Sequence, residues 1–163
     1  MTTLIGGIQA RVILPVLDAL ALPGDPVARR QLMAGIGNVE TGYRTRRQAN
    51  GPALGYWQVE PRTHDDLWRN WLGNRLTLAH IARGYLPSQY SASPIGHASA
   101  MVLSDSYGLC IAALVFFRSD EPLPARDDPV AQCRAWKRAY NTAAGAGAVD
   151  PSHIAAFQAA ISA

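Results

Sequence analysis

Charge, cysteine and long apolar runs are all scarce in this sequence, and each shortage removes a class of explanation. Only 17% of the residues are charged and 48% are apolar, the balance of an ordinary globular chain and not of a disordered one. A formal charge of +3 and a pI of about 9.1 lean mildly toward an anionic partner such as a wall polymer, a lipopolysaccharide surface or nucleic acid. The two cysteines, Cys110 and Cys133, sit in apolar helical patterns and read as buried free thiols; no disulfide is implied. The longest strongly apolar run, around residues 108–117, is too short to span a bilayer, so no stable membrane insertion is expected. No basic, apolar leader with a small-residue cleavage site opens the chain, and signal-directed secretion is not expected.

Other absences concern chemistry. His64, His80, His97 and His153 show no zinc-ligand spacing and neither cysteine has a close partner, so no metal and no cofactor is expected. Cys110 lies in the middle of the most apolar segment, where a nucleophilic thiolate would be costly. No phosphate-cradling glycine loop follows a strand. No candidate helix clusters Arg, Asn and Gln as a DNA-reading helix does. A basic helical nucleic-acid binder is therefore the weakest reading, and no nucleic-acid partner is expected.

What is present is helical periodicity. With 163 residues the chain is most simply one domain, 1–163, large enough for its own core. Ile5, Ile8, Val12, Val16 and Leu20 recur at steps of three and four, which predicts an amphipathic helix over 3–21 with a kink or break at Pro15. A second helix starts at Asp25 as N-cap with Pro26 in its first position, and stops at Gly42. Residues 43–56 form a loop, at most a short hairpin. Its Arg44, Arg46 and Arg47 fit either carboxylate and phosphate contacts or a plain solvated loop.

Pro61 opens another helix, residues 76–86 a short one, and 87–98 a Pro/Ser/Gly loop. From about 98 to 118 the pattern is apolar nearly all round, through Met101, Tyr107, Cys110, Ile111, Leu114 and Phe117, which predicts a buried central helix. After a proline-bearing linker over 120–129, Val130, Cys133, Trp136 and Tyr140 share one face and Asn141 ends that helix. An Ala/Gly loop spans 142–149, and a last helix from Pro151 packs through Ile154, Phe157 and Ile161. No strand set and no repeat appears. The fold class is all-α, or nearly so.

Glu40 is the residue that does not belong to this pattern. It follows Ile36 by four residues and Met33 by seven, so it shares their core-facing stripe. Burial and the negative end of the helix dipole both favour the protonated carboxyl. A carboxylic acid kept protonated near neutral pH is what protonating a glycosidic oxygen requires. The plain alternative is a frayed helix end with Glu40 turned to water.

Three segments then carry a resemblance. Glu40-Thr41-Gly42, Gly55-Tyr56-Trp57-Gln58-Val59-Glu60-Pro61 and Ala139-Tyr140-Asn141-Thr142 resemble, in order and approximate spacing, the motifs of soluble lytic transglycosylases and goose-type lysozymes. Those motifs read Glu-Ser-Gly, Gly-Leu-Met-Gln with a following proline, and Ala-Tyr-Asn-Ala-Gly. The likeness covers about residues 26–145, with Thr41 in place of serine, Tyr56-Trp57 in place of Leu-Met and Thr142 in place of alanine. It implies a lysozyme-like helical domain that cleaves the MurNAc-GlcNAc β-1,4 bond of peptidoglycan.

In that likeness Glu40 is the catalytic acid. Gly55 and Gln58 belong to a sugar-binding turn, with Trp57 offering an apolar ring face, and Tyr140 with Asn141 orients the acid. The plain alternatives are core aromatics at Trp57 and Tyr140 and a turn residue capping its own backbone at Gln58. One carboxylate suffices for a transglycosylase, whereas a hydrolase needs a second, for which Glu60, Asp65 and Asp66 are candidates. Asp105 is the nearest carboxylate on the central helix. The compact form looks like the small wall-degrading proteins of tailed bacteriophages, endolysins or lytic components of the virion. The implied partner is the peptidoglycan glycan strand, joined by tail or other virion proteins if the protein rides in the particle. The implied location is the virion, or the host cell from cytoplasm to wall. A non-catalytic tail or tail-tip protein on the same fold is the rival reading.

Overall fold

The computed structural model describes residues 3–140 and 148–163, and over them the chain is all-helical. β pairing among the described residues is confined to isolated antiparallel bridges, Arg47 with Leu54 and Leu54 with Val59. The loop after the second helix is thus a hairpin-like turn without strands.

The first segment shows how the chain handles an awkward proline. α1 (Leu4–Ile8) runs into a π turn (Gln9–Ile13) and on into α2 (Leu14–Leu20). Pro15 cannot donate to the helix ladder, and its ring crowds the carbonyl four residues back. The wider turn just before it, in which the Leu14 N–H reaches Gln9 O, takes up that conflict. The expected kink or break at Pro15 takes the form of a bulge within a continuing helix. Ile13 and Val16 stay fully buried across it.

α3 (Pro26–Thr41) begins and ends as its sequence predicts. The Asp25 carboxylate accepts from the Val27 N–H at 2.9 Å, and Gly42 closes the helix in the left-handed conformation. Its two interior glycines have packing reasons. A Cβ on Gly35 would come within 2.1 Å of the Phe157 ring, and one on Gly37 within 2.5 Å of the Tyr43 hydroxyl. Helix propensity is given up so that two aromatic side chains can lie against the helix backbone.

The expected single helix over 98–118 is broken in two. α6 (Ala100–Leu103) stops at Ser104, whose extended backbone and hydroxyl cap the start of α7 (Asp105–Arg118) at the Tyr107 N–H. A serine followed by an acidic residue is a helix start, and it prevails over the continuing apolar pattern. α7 is the buried central element, packed on α2, α3, α4 (Pro61–Asn70) and α5 (Leu76–Gly84). Leu109, Ile111 and Leu114 have no exposed surface, and each such burial contributes about 1.5–3 kcal/mol. Cys110 and Cys133 are both buried and unbridged. No helix among the described residues is long and apolar enough to cross a membrane.

α8 (Pro129–Ala139) and α9 (Pro151–Ile161) pack on each other and on α3. The linker before α8 is clasped to α3. Gln31 donates to Asp127 at 2.7 Å and accepts from its backbone N–H at 2.8 Å, while Arg126 forks onto Asp25. That arrangement holds α8 and α9 against the last turns of α3, where Glu40 sits.

Candidate active site

Glu40 lies in the last turn of α3, half-buried, so its carboxyl meets both protein and solvent. Its Oε1 accepts from the indole Nε1–H of Trp136 on α8 at 2.9 Å. Burial raises the carboxyl above its ordinary range. The indole hydrogen bond and the nearby His153 on α9 pull the other way without cancelling it. The side chain thus has the inward placement read from its helical spacing.

The turn after α3 is tied directly beneath it. The Thr41 hydroxyl lies 2.9 Å from Tyr56 O and 3.1 Å from Gly37 O, and it accepts from the Tyr43 N–H. Two successive left-handed residues, Gly42 and Tyr43, reverse the chain. Tyr43 then buries its ring and donates its hydroxyl to Ala34 O at 2.8 Å. Leu54 and Val59 exchange backbone hydrogen bonds at 2.9 and 3.0 Å, closing the Gly55–Gln58 turn. Gly55 adopts a φ of 75°, and a Cβ there would stand 2.9 Å from Met101 O. Only glycine fits both demands.

Several expected ligands have other occupations. Trp57 is 1% exposed, and its indole donates to Met33 O at 2.9 Å. Its ring is core, packed edge-on with Tyr43 and Tyr56, and presents no face to a sugar. Gln58, itself in the left-handed region, folds its amide back to donate to Gly55 O at 2.8 Å, so it caps its own turn. Tyr140 is half-buried at the end of α8, and its hydroxyl donates to Trp57 O instead of to Glu40. Burial, with the Glu40 charge adding to it, pushes that hydroxyl well above its ordinary value. The hydrogen bond ties the end of α8 to the Gly55–Gln58 turn. Asn141 lies outside the described residues.

The carboxylates considered as partners are distributed elsewhere. Glu60 is exposed at the start of α4 and makes no side-chain cap. Asp65 accepts from His64 at 2.9 Å; Asp66 pairs with Arg118 at 2.6 Å. Asp105 takes a two-pronged bond from Arg46, whose guanidinium also covers the Tyr56 ring. Arg44 and Arg47 are exposed. Among the described residues, none of these carboxylates shares a hydrogen-bonding partner with Glu40.

Two residues at the site were not anticipated. Trp136 reads from its spacing as a core aromatic, though a buried indole N–H does need an acceptor, and that was its one signal. His153 had none: it reaches the site only because α9 folds back onto α3 and α8. A surface depression of about 380 Å³ borders the same turn of α3 through Asn38, Thr41 and Gly42, with Arg44 on its rim; Glu40 is not among its lining residues. A second, of about 310 Å³, lies at α4 and α5 around Trp68 and Arg83. Comparisons with protein-family models, with curated proteins and with solved structures find no match.

Proposed function

We propose that this protein cleaves the MurNAc-GlcNAc β-1,4 bond of peptidoglycan as a lytic transglycosylase, phage-encoded and used in host-wall penetration or lysis. The observation that carries the proposal is Glu40 itself. It is a half-buried carboxyl with raised proton affinity, held by an indole N–H, at the junction of the three segments that resemble the family's motifs. Thr41 joins the first segment to the second, and Tyr140 joins the third to the second.

In this reading Glu40 donates its proton to the glycosidic oxygen as the bond from that oxygen to C1 of muramic acid breaks. The C6 hydroxyl of the same sugar attacks C1, and the Glu40 carboxylate takes the hydroxyl proton. The product is a 1,6-anhydro sugar, formed without water. Asp65 is engaged with His64 and Asp66 with Arg118, which leaves Glu60 as the carboxylate that a hydrolytic route would have to use.

Digestion of purified peptidoglycan by wild type and Glu40→Gln, with the fragments identified by mass spectrometry, tests the proposal. Anhydro-muropeptides from wild type alone are expected. Glu40-dependent reducing ends would replace the transglycosylase with a muramidase and direct attention to Glu60. No release by wild type would overturn the enzymatic reading and favour a structural tail protein.

A further inference from the structure

The side chain that touches Glu40 is itself braced, and the brace includes an imidazole. Trp136 lies between α3 and α9, with its ring stacked on the His153 imidazole at 5.4 Å and 24° and tilted against Phe157 at 6.1 Å. His153 and Phe157 are four residues apart on α9, so one helix face grips the indole from two points. Gly35 on α3 is what allows Phe157 to come so close. The indole N–H is thereby aimed at Glu40 Oε1 by α9, not only by its own helix.

His153 is held in turn by Asp150, the N-cap of α9. The Asp150 carboxylate accepts the backbone N–H of His153 at 2.9 Å; the buried imidazole Nδ1 lies 2.9 Å from the same oxygen without hydrogen-bonding geometry. The charged and titratable groups around this unit can be named from each packed element. From α3 there is Glu40; from α9, Asp150 and His153. From α8 come the Tyr140 hydroxyl, the Cys133 thiol within the field of Asp150, and Lys137, next to Trp136 in the chain.

We infer that His153, stacked on Trp136 and anchored at its backbone by Asp150, is a positioning residue for Glu40, setting both the aim of the indole donor and the electrostatic surroundings of the acid. The inference rests on the proposed role of Glu40 and extends it to how that acid is regulated. The nearby His153 opposes the effect of burial on the Glu40 carboxyl. The stack and this electrostatic effect are separable by substitution: His153→Phe keeps an aromatic ring on Trp136 and removes the imidazole, and His153→Gln removes the ring as well.

The test is a pH titration of the Trp136 indole N–H by NMR on the full chain without substrate, the signal being assigned by its loss in Trp136→Phe. In wild type the signal reports the ionisation of Glu40, and that step disappears in Glu40→Gln. The midpoint is expected at higher pH in both His153 variants. The low-pH position of the signal should be retained in His153→Phe and lost in His153→Gln. An unchanged midpoint in His153→Phe would overturn the inference. On peptidoglycan, the pH profile of kcat/KM should move with the midpoint while KM holds. A shifted midpoint in a protein that releases no fragments would instead sink the enzymatic reading alone.

Discussion

Glu40 is held by opposing influences, and their balance is open to measurement. Burial disfavours its carboxylate, while the Trp136 N–H and the neighbouring His153 favour it, and burial prevails. The folded-state value is therefore above the unfolded one. For an acid shifted upward, the folded chain binds more protons than the unfolded chain, so stability falls as pH rises through the folded-state value. Glu40→Gln keeps an amide oxygen for the indole and removes that loss. Thermal unfolding should show the variant gaining on wild type as pH rises above the ordinary carboxyl value of 4.5, with no gain below it. The same substitution should lower glycan cleavage by about 10²–10⁴-fold, the usual worth of a general acid. Gain in stability with loss of activity is the pattern expected of a strained functional carboxyl. A destabilised variant at neutral pH would mean that Glu40 is an ordinary hydrogen-bonding residue.

Among the elements, α3 and α9 form the pair on which the site depends. Gly35 is a poor helix former where an alanine would gain about 1 kcal/mol from propensity alone. A Cβ there, however, would stand 2.1 Å from Phe157 Cδ1. Gly35→Ala should therefore destabilise the protein by about 1–3 kcal/mol through overpacking, visible as a lowered Tm. Because Phe157 also braces Trp136, activity should fall further than stability explains. Adding Phe157→Leu should recover much of the Tm and little of the activity. Equal recovery of both would show that α9 acts only as packing. Both glycines of α3 are poor helix formers by residue type. Their purpose is not legible locally, since Phe157 is 122 positions further along the chain from Gly35. The bulge ahead of Pro15 and the break at Ser104 belong to the same scale. The proline pointed to the first, whereas the second went against the apolar periodicity and follows from the Ser104 cap.

Across the whole molecule, the far side of the central helix holds a second buried polar chain. Asp65 can only accept from His64 Nδ1–H, which leaves Nε2 to accept from the Tyr107 hydroxyl at 2.8 Å, and Tyr107 accepts in turn from Trp68 at 3.0 Å. Burial holds the His64 imidazole below its ordinary value, against the upward pull of Asp65. A base shifted downward binds fewer protons folded than unfolded. Its contribution is complete above about pH 6.5 and is lost as pH falls toward the depressed folded-state value. The Tm of wild type should thus drop below about pH 6.5. His64→Gln should start lower by about 1–3 kcal/mol, because Tyr107 and Asp65 lose a partner, but should show a flatter dependence on pH. Parallel curves would assign the acid sensitivity to other groups. This response is separate from that of Glu40, whose ionisation weakens the fold in the opposite direction of pH.

The linear sequence by itself determined the helices, their caps and the inward stripe of α3, because periodicity, Asp and Ser N-caps and glycine stops act over a few residues. It also singled out Glu40, since a carboxylate on an apolar face is a local anomaly. Only the tertiary structure decided which side chains meet that carboxylate. Trp57 and Gln58 turned inward because a buried indole and a tight turn each needed a nearby carbonyl acceptor. Trp136 and His153 arrived from α8 and α9 because Gly35 opens a slot for Phe157. Contacts spanning 96 positions and more depend on how faces fit together, and nothing in local spacing encodes that fit.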